Sequence, residues 1–216
     1  LRLRRKPWIN ERIADFADIC YYEEEQIAGL KGGNWEAVFD RPAPLHVELG
    51  SGKGKFITQT ALKHPEINYL AIEAQKDVAY YIAVKARELG LKNIRILVFD
   101  INNIADIFAP YEVDRFYINF CDPWPKSRHA KRRLTHQSFL QKYRGILKAG
   151  GDIHFKTDNR PLFDFSLEQF AAENLKVKNL TFDLHADNME DNIMTEYEAK
   201  FSALGSKINR CELQFQ

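Results

Sequence analysis

Five carboxylates, Glu48, Glu73, Asp100, Asp122 and Asp158, stand where short apolar runs of the chain end. Behind Asp122 the sequence reads Pro123-Trp124-Pro125, then places five Lys or Arg within residues 126–133. Acids gathered along one edge repel one another unless a cationic or hydroxyl-rich ligand lies among them, so the set reads as a binding site. The two prolines restrict the backbone beside Asp122 and reduce the entropy lost on fixing it. The cations behind it suit phosphates, which they hold by a salt-sensitive attraction that carries no base specificity.

To act together these acids must be brought to one place. Segments 45–49, 69–73, 94–99, 115–120 and 152–156 read as strands, and β-rich stretches follow at 175–184 and 207–215. Helical segments separate them. One opens after residues 50–54 and ends by His64-Pro65, others cover about 76–89 and 135–148, and another begins near Asn159-Arg160-Pro161. Thr195-x-x-Glu198 has the form of a capping box and starts a short helix ending at Gly205. Residues 9–31 read as an amphipathic helix, with Ile13, Phe16, Cys20 and Ile27 on one face. Strands alternating with helices mean βαβ units and a mostly parallel sheet, whose ligands bind beyond the carboxyl ends of the strands. We expect a basic arm and helix over 1–40 and the main domain over 41–216.

Composition sets outer bounds. The chain has 216 residues, a formal charge of +1, and 45% apolar and 12% aromatic residues, enough for one large core. Near-neutrality argues against binding polyanions over the whole surface and leaves local patches to matter: residues 126–133, and Arg2, Arg4, Arg5 and Lys6 at the start. Cys20, Cys121 and Cys211 form no C-x-x-C pair and the six histidines no H-x-x-x-H pair, so neither a disulfide framework nor a metal site is expected. No apolar run approaches the roughly 18–20 residues that cross a bilayer. These features fit a cytoplasmic protein with no membrane or metal partner, either monomer or homodimer.

Residues 48–55 read Glu-Leu-Gly-Ser-Gly-Lys-Gly-Lys. A phosphate-cradling P-loop requires G-x-x-x-x-G-K-[ST], which the sequence lacks; a dinucleotide fingerprint requires a later third glycine than Gly54. An acid two residues ahead of G-x-G-x-G, with Glu73 ending the next strand, is similar to the S-adenosylmethionine-dependent methyltransferases. That resemblance implies an α/β, Rossmann-like class I methyltransferase fold: a mostly parallel seven-stranded sheet with helices on both faces and an antiparallel last strand. A strand-end carboxylate accepts both hydroxyls of a ribose, which suits Glu73. Asp100 is placed for an adenine amino group and Glu48 for the cofactor's ammonium.

With Lys6-Pro7-Trp8, Asp122-Pro123-Trp124-Pro125-Lys126-x-Arg128-His129-x-Lys131-Arg132-Arg133-Leu134, Lys156-Thr157-Asp158 and Thr195-Glu196-Tyr197-Glu198, the chain resembles the bacterial tRNA (guanine-N7)-methyltransferase family over essentially its whole length. The resemblance implies methyl transfer to N7 of a variable-loop guanosine (position 46 in tRNA numbering). It implies cofactor contacts at Glu48, Gly50, Gly52, Glu73, Asp100 and Asp122, with Asp122 also catalytic. Lys126, Asp158, Thr195, Glu196, Tyr197 and Glu198 would hold the guanosine, and Arg128, His129, Lys131, Arg132 and Arg133 the RNA. One departure is Ile101-Asn102 behind Asp100, where a small residue is expected. A methyltransferase acting on exocyclic amines and a noncatalytic RNA-binding module are the rival readings.

Overall fold

A computed structural model describes residues 7–187 and 192–216. The elements α1 (Ile9–Arg12), β1 (Cys20–Tyr21), α2 (Glu24–Ala28) and α3 (Trp35–Phe39) lead into a regular alternation. It runs β2 (Leu45–Leu49), α4 (Lys55–Lys63), β3 (Asn68–Glu73), α5 (Lys76–Glu88), β4 (Ile94–Val98) and β5 (Val113–Asn119). Then come α6 (Gln137–Ile146), β6 (Leu147–Thr157), α7 (Arg160–Ala172), β7 (Leu175–Thr181), α8 (Glu196–Ser202) and β8 (Asn209–Phe215). The basic segment forms a 3₁₀ helix over Ser127–Arg132.

The strands make one sheet in the order β1-β4-β3-β2-β5-β6-β8-β7. β8 alone runs against its neighbours β6 and β7. The order reverses between β2 and β5, the place in such sheets where ligands bind. Helices flank both faces. α6 and α7 cover one, with Phe139, Tyr143, Leu162, Phe163 and Phe170 packed on Val47, Phe116, Ile118 and Phe155. α4 and α5 cover the other, burying Ile57, Ala79, Ile82 and Ala83 against Tyr69, Ala71, Ile94 and Ile96. Among the described residues no helix is long and apolar enough to cross a membrane.

The sheet has eight strands where seven are expected, and the extra one lies in the segment read as a helix. Residues 9–31 form two short helices, a 3₁₀ turn over Ile13–Phe16, and β1. Cys20 and Tyr21 pair in parallel with Ile96 and Leu97 at the sheet edge. Edge pairing overrides the helical periodicity here, because it satisfies backbone groups of β4 that would otherwise lack a partner. The apolar positions are still used, but on both sides of the sheet: Ile9, Ile13 and Cys20 join one core, and Leu30 and Trp35 the other. The expected basic arm, Arg2 to Lys6, lies outside the described residues.

Candidate active site

β2 ends at the glycine turn. Gly50 and Ser51 donate their N–H groups to the Ile72 carbonyl at 2.9 and 3.0 Å, tying the turn to the end of β3. Gly52 (φ +55°) has only open space where a side chain would stand, so a ligand can approach its backbone. Gly54 (φ +82°) is a glycine for the opposite reason: a Cβ there would lie 2.7 Å from Ile82 of α5. The Gly52 N–H donates to Glu73 Oε2 at 3.0 Å, and the Gln75 N–H to Oε1 at 3.0 Å. Glu73 is thereby fixed at the rim of the turn, and burial, opposed by these bonds, raises its pKa.

Glu48 is buried at the strand reversal. Its Oε1 accepts from Asn119 Nδ2 of β5 at 2.8 Å, whereas Oε2 has no partner. A buried carboxylate oxygen left unmatched costs about 1–3 kcal/mol unless a ligand supplies a donor. Burial pushes this carboxyl up to about 7, with the Asn119 bond and the nearby Lys156 ammonium opposing it. Asp100, just beyond β4, accepts the N–H and Nδ2 of Asn102 at 2.9 and 2.8 Å through Oδ1 alone. Ile101 and Asn102, bulkier than expected, thus form a turn that points the acid. An orphaned Glu48 oxygen, an open face at Gly52 and two held acids fit S-adenosylmethionine, with its ammonium, ribose and adenine as donors.

These properties give a pH dependence. A cofactor ammonium would favour ionised Glu48, so its affinity should rise about tenfold between pH 6 and 8 and then level, with a proton released on binding at low pH. Glu48→Gln should flatten that rise. Titration calorimetry across this range checks it, and an equally steep profile in the variant would remove Glu48 from the account. In the ligand-free chain the sign is opposite: the raised pKa contributes stability below the unfolded value of about 4.5, which is lost as pH rises through about 7.

Beyond β5 the chain turns sharply. Phe120 (φ +52°) and Trp124 (φ +41°) adopt the left-handed conformation on either side of Asp122. Each such residue costs on the order of 1–3 kcal/mol and persists only where its surroundings enforce it. Asp122 and Trp124 also precede prolines, which disfavours continuing as a helix. The Phe120 N–H is held by the Lys156 carbonyl at 2.9 Å. At the other end Arg133 donates from Nε to the Pro123 carbonyl at 3.1 Å and from Nη2 to the Trp124 carbonyl at 3.0 Å. Asp122 is exposed between these anchors, and its charge contributes to the raised pKa of Glu73.

The basic segment divides into two kinds of residue. Lys126, Arg128, Lys131 and Arg132 are exposed, and Arg132 is also drawn to Trp124. His129 packs edge-on against Trp124 at 5.8 Å and Arg132 lies over its ring at 4.9 Å. Trp124 is therefore packed beneath the 3₁₀ helix.

The segment expected to hold the guanosine is also heterogeneous. Thr195 caps α8, its Oγ1 accepting from the Glu198 N–H at 2.9 Å. The capping box is half-formed, because Glu198 does not turn back to the cap. It is fully buried and takes the Lys156 ammonium at 2.8 Å, with Asn192 Nδ2 at 2.7 Å on its other oxygen. The gain from neutralising a buried lysine outweighs the usual capping bond. Glu196 pairs with Lys85 and accepts the Lys55 N–H at 3.2 Å, joining α8 to the first turn of α4. Of the four, Tyr197 alone is aimed at a strand-end acid: its hydroxyl donates to Asp158 Oδ2 at 3.1 Å. Its ring stacks on Phe201 and leans on Phe120.

The sequence reading gave no site role to Asn119 or to Lys156, although Lys156 stands in the Lys156-Thr157-Asp158 motif. The available signal was a lysine inside an interior strand, which has to find an acid. Asn119 shows itself only in the fold, two residues beyond Tyr117, the register partner of Glu48 in β5.

Comparison with known proteins bears on this arrangement. A family model described as "Putative methyltransferase" matches residues 42–211. The chain is 48% identical over 216 residues to the tRNA (guanine-N(7)-)-methyltransferase of Halalkalibacterium halodurans, covering 100% of this chain and 96% of that one. It is 46% identical over 216 residues to the Bacillus subtilis protein of the same name, covering 100% of both. Among solved structures, the 16S rRNA methyltransferase KamB superposes with a TM-score of 0.62 at 13% identity, covering 89% of this chain and 92% of that one. The 30S ribosomal A1408 methyltransferase from an uncultured bacterium gives 0.61 at 13% identity, covering 84% and 92%. At such identities the structural likeness speaks for the class I methyltransferase fold.

Proposed function

This chain belongs to the tRNA (guanine-N7)-methyltransferase family, and on that premise we propose that it methylates N7 of a variable-loop guanosine in tRNA. S-adenosylmethionine, when bound, supplies an electrophilic methyl group on a positively charged sulfur. The observation that carries the reading is the row of acids at or just beyond the carboxyl ends of β2, β3, β4, β5 and β6, with Glu48 buried and half-satisfied at the strand reversal.

Guanine N7 has a free lone pair and no proton, so the chain needs no general base. Its residues instead have to align the base, exclude water and stabilise positive charge. Glu48, Glu73 and Asp100, with the open turn at Gly50 and Gly52, would hold the cofactor. Asp158, oriented by Tyr197, would accept hydrogen bonds from the base's N1–H and amino group. Asp122 would face the ring as it becomes more positive, where a fixed carboxylate lowers the barrier. Lys126, Arg128 and Lys131 would hold phosphates flanking a splayed nucleotide, the usual manner of reading a folded RNA. Thr195, Glu196 and Glu198 would serve the same pocket by fixing α8.

The test is nucleoside mass spectrometry of unmodified tRNA incubated with the protein and labelled S-adenosylmethionine. Labelled 7-methylguanosine is expected. Label in N6-methyladenosine or on ribose would reject the assignment.

A further inference from the structure

We propose that Arg133 is a positioning residue that holds the turn at 120–124, and so the placement of Asp122, rather than a member of the RNA grip; this rests on the role given to Asp122 above. The sequence groups Arg133 with four other RNA-facing residues, and its charge alone does not separate it from them. Its surroundings do. The guanidinium is a planar fork, and two of its N–H groups meet the successive carbonyls of Pro123 and Trp124. It lies over the Phe165 ring of α7 at 4.2 Å, and its own N–H is held by the Ala130 carbonyl at 3.0 Å. No carboxylate lies within ion-pair distance of it among the described residues, so those two carbonyls and the ring set its direction. Lys131, two residues earlier, is exposed and has no comparable contact.

The place it holds is the one that needs holding. Trp124 is left-handed, precedes a proline, and lies two residues from Asp122. The opposite end of the turn is fixed by the Lys156 carbonyl and by the ring of Tyr197. Without the fork, the Trp124 end loses its two polar anchors, and the turn is free to relax toward less strained backbone. A lysine would preserve the charge but has no rigid fork to span both carbonyls. A catalytic group displaced by about 1 Å can lose 10²-fold in rate.

The experiment compares Arg133→Ala, Arg133→Lys and Lys131→Ala in the full chain. Protein is labelled with fluorotryptophan, and the Trp124 resonance is assigned with Trp124→Phe. Both Arg133 variants should shift or broaden that ¹⁹F resonance without cofactor or RNA, leaving those of Trp8 and Trp35 in place. They should lower kcat about 10- to 100-fold, yet keep the parent's dependence of tRNA affinity on salt. Lys131→Ala should instead reduce the salt slope by about 1 and leave the Trp124 resonance unmoved. An unmoved resonance in Arg133→Ala, a slope reduced by about 1, or full kcat in Arg133→Lys would each overturn the proposal. A parent protein that methylates no tRNA would overturn the functional reading instead, because the resonance arm does not depend on activity.

Discussion

Asp122→Asn lowers the single-turnover rate of methyl transfer, at saturating tRNA and cofactor, by roughly 10²–10³-fold. The substitution keeps the shape of the side chain and removes its charge. It therefore isolates electrostatic stabilisation of the methylated ring from positioning, which the turn supplies through its backbone. Cofactor affinity should fall by no more than about tenfold, since on the proposed reading Glu48, Glu73 and Asp100 would hold most of that ligand's donors. The magnitude is that of losing one preorganised group aimed at developing charge. A rate loss below about fivefold, or one wholly explained by cofactor dissociation, would move the electrostatic role elsewhere, with Asp158 the next carboxylate to examine. No pH-dependent base should appear in the profile, because N7 has no proton to give up.

The largest effect on stability is expected at a residue that the sequence assigns to the substrate. Glu198→Ala leaves the Lys156 ammonium buried, at 5% side-chain exposure, without its carboxylate. Breaking one partner of such a pair costs about 3–5 kcal/mol. In a chain of this size that is a fall in Tm of roughly 6–20 °C. Burial already lowers the pKa of Lys156, with Glu198 opposing the shift, so the variant's lysine should give up its proton more readily. Pairing Glu198→Leu with Lys156→Met should recover much of the stability, since an apolar pair avoids the desolvation of two charges. Thermal unfolding of the parent, Glu198→Leu, Lys156→Met and the double variant provides the cycle, with Glu198→Ala measured beside it. If Glu198→Ala melts within about 2 °C of the parent while losing transfer activity, then Glu198 acts on the substrate directly.

Where each reading succeeded follows from which physics was local. The strands read at 45–49 and 94–99 and the helix at about 76–89 match β2, β4 and α5 to within a residue, because one face or both are buried along their length. The acids were legible because each closes a strand, and strand ends converge in a parallel sheet whatever the loops do. Residues 9–31 misled because Ile13, Phe16 and Cys20 have helical spacing, although a distant strand, β4, draws Cys20 and Tyr21 into the sheet and breaks the helix. For Glu198 and Arg133 the sequence left the inward contacts unread. Both sit in motifs of suitable charge, and only the packed neighbours Lys156, Pro123 and Trp124 reveal that the charge points inward. Sequence spacing identifies who is at the site; the allocation of inward and outward roles depends on contacts 9 to 42 residues apart.

The position of β8 has a consequence for how the protein comes into being. It occupies the slot between β6 and β7, so β7 finds no partner until residues 209–215 have been synthesised. Until then the flank of β6 away from β5 is an unprotected edge, open to pairing with another nascent chain. Insertion of β8 closes that edge on both sides at once. The open edge of β6 therefore persists through the synthesis of α7, β7 and α8, until β8 is in place.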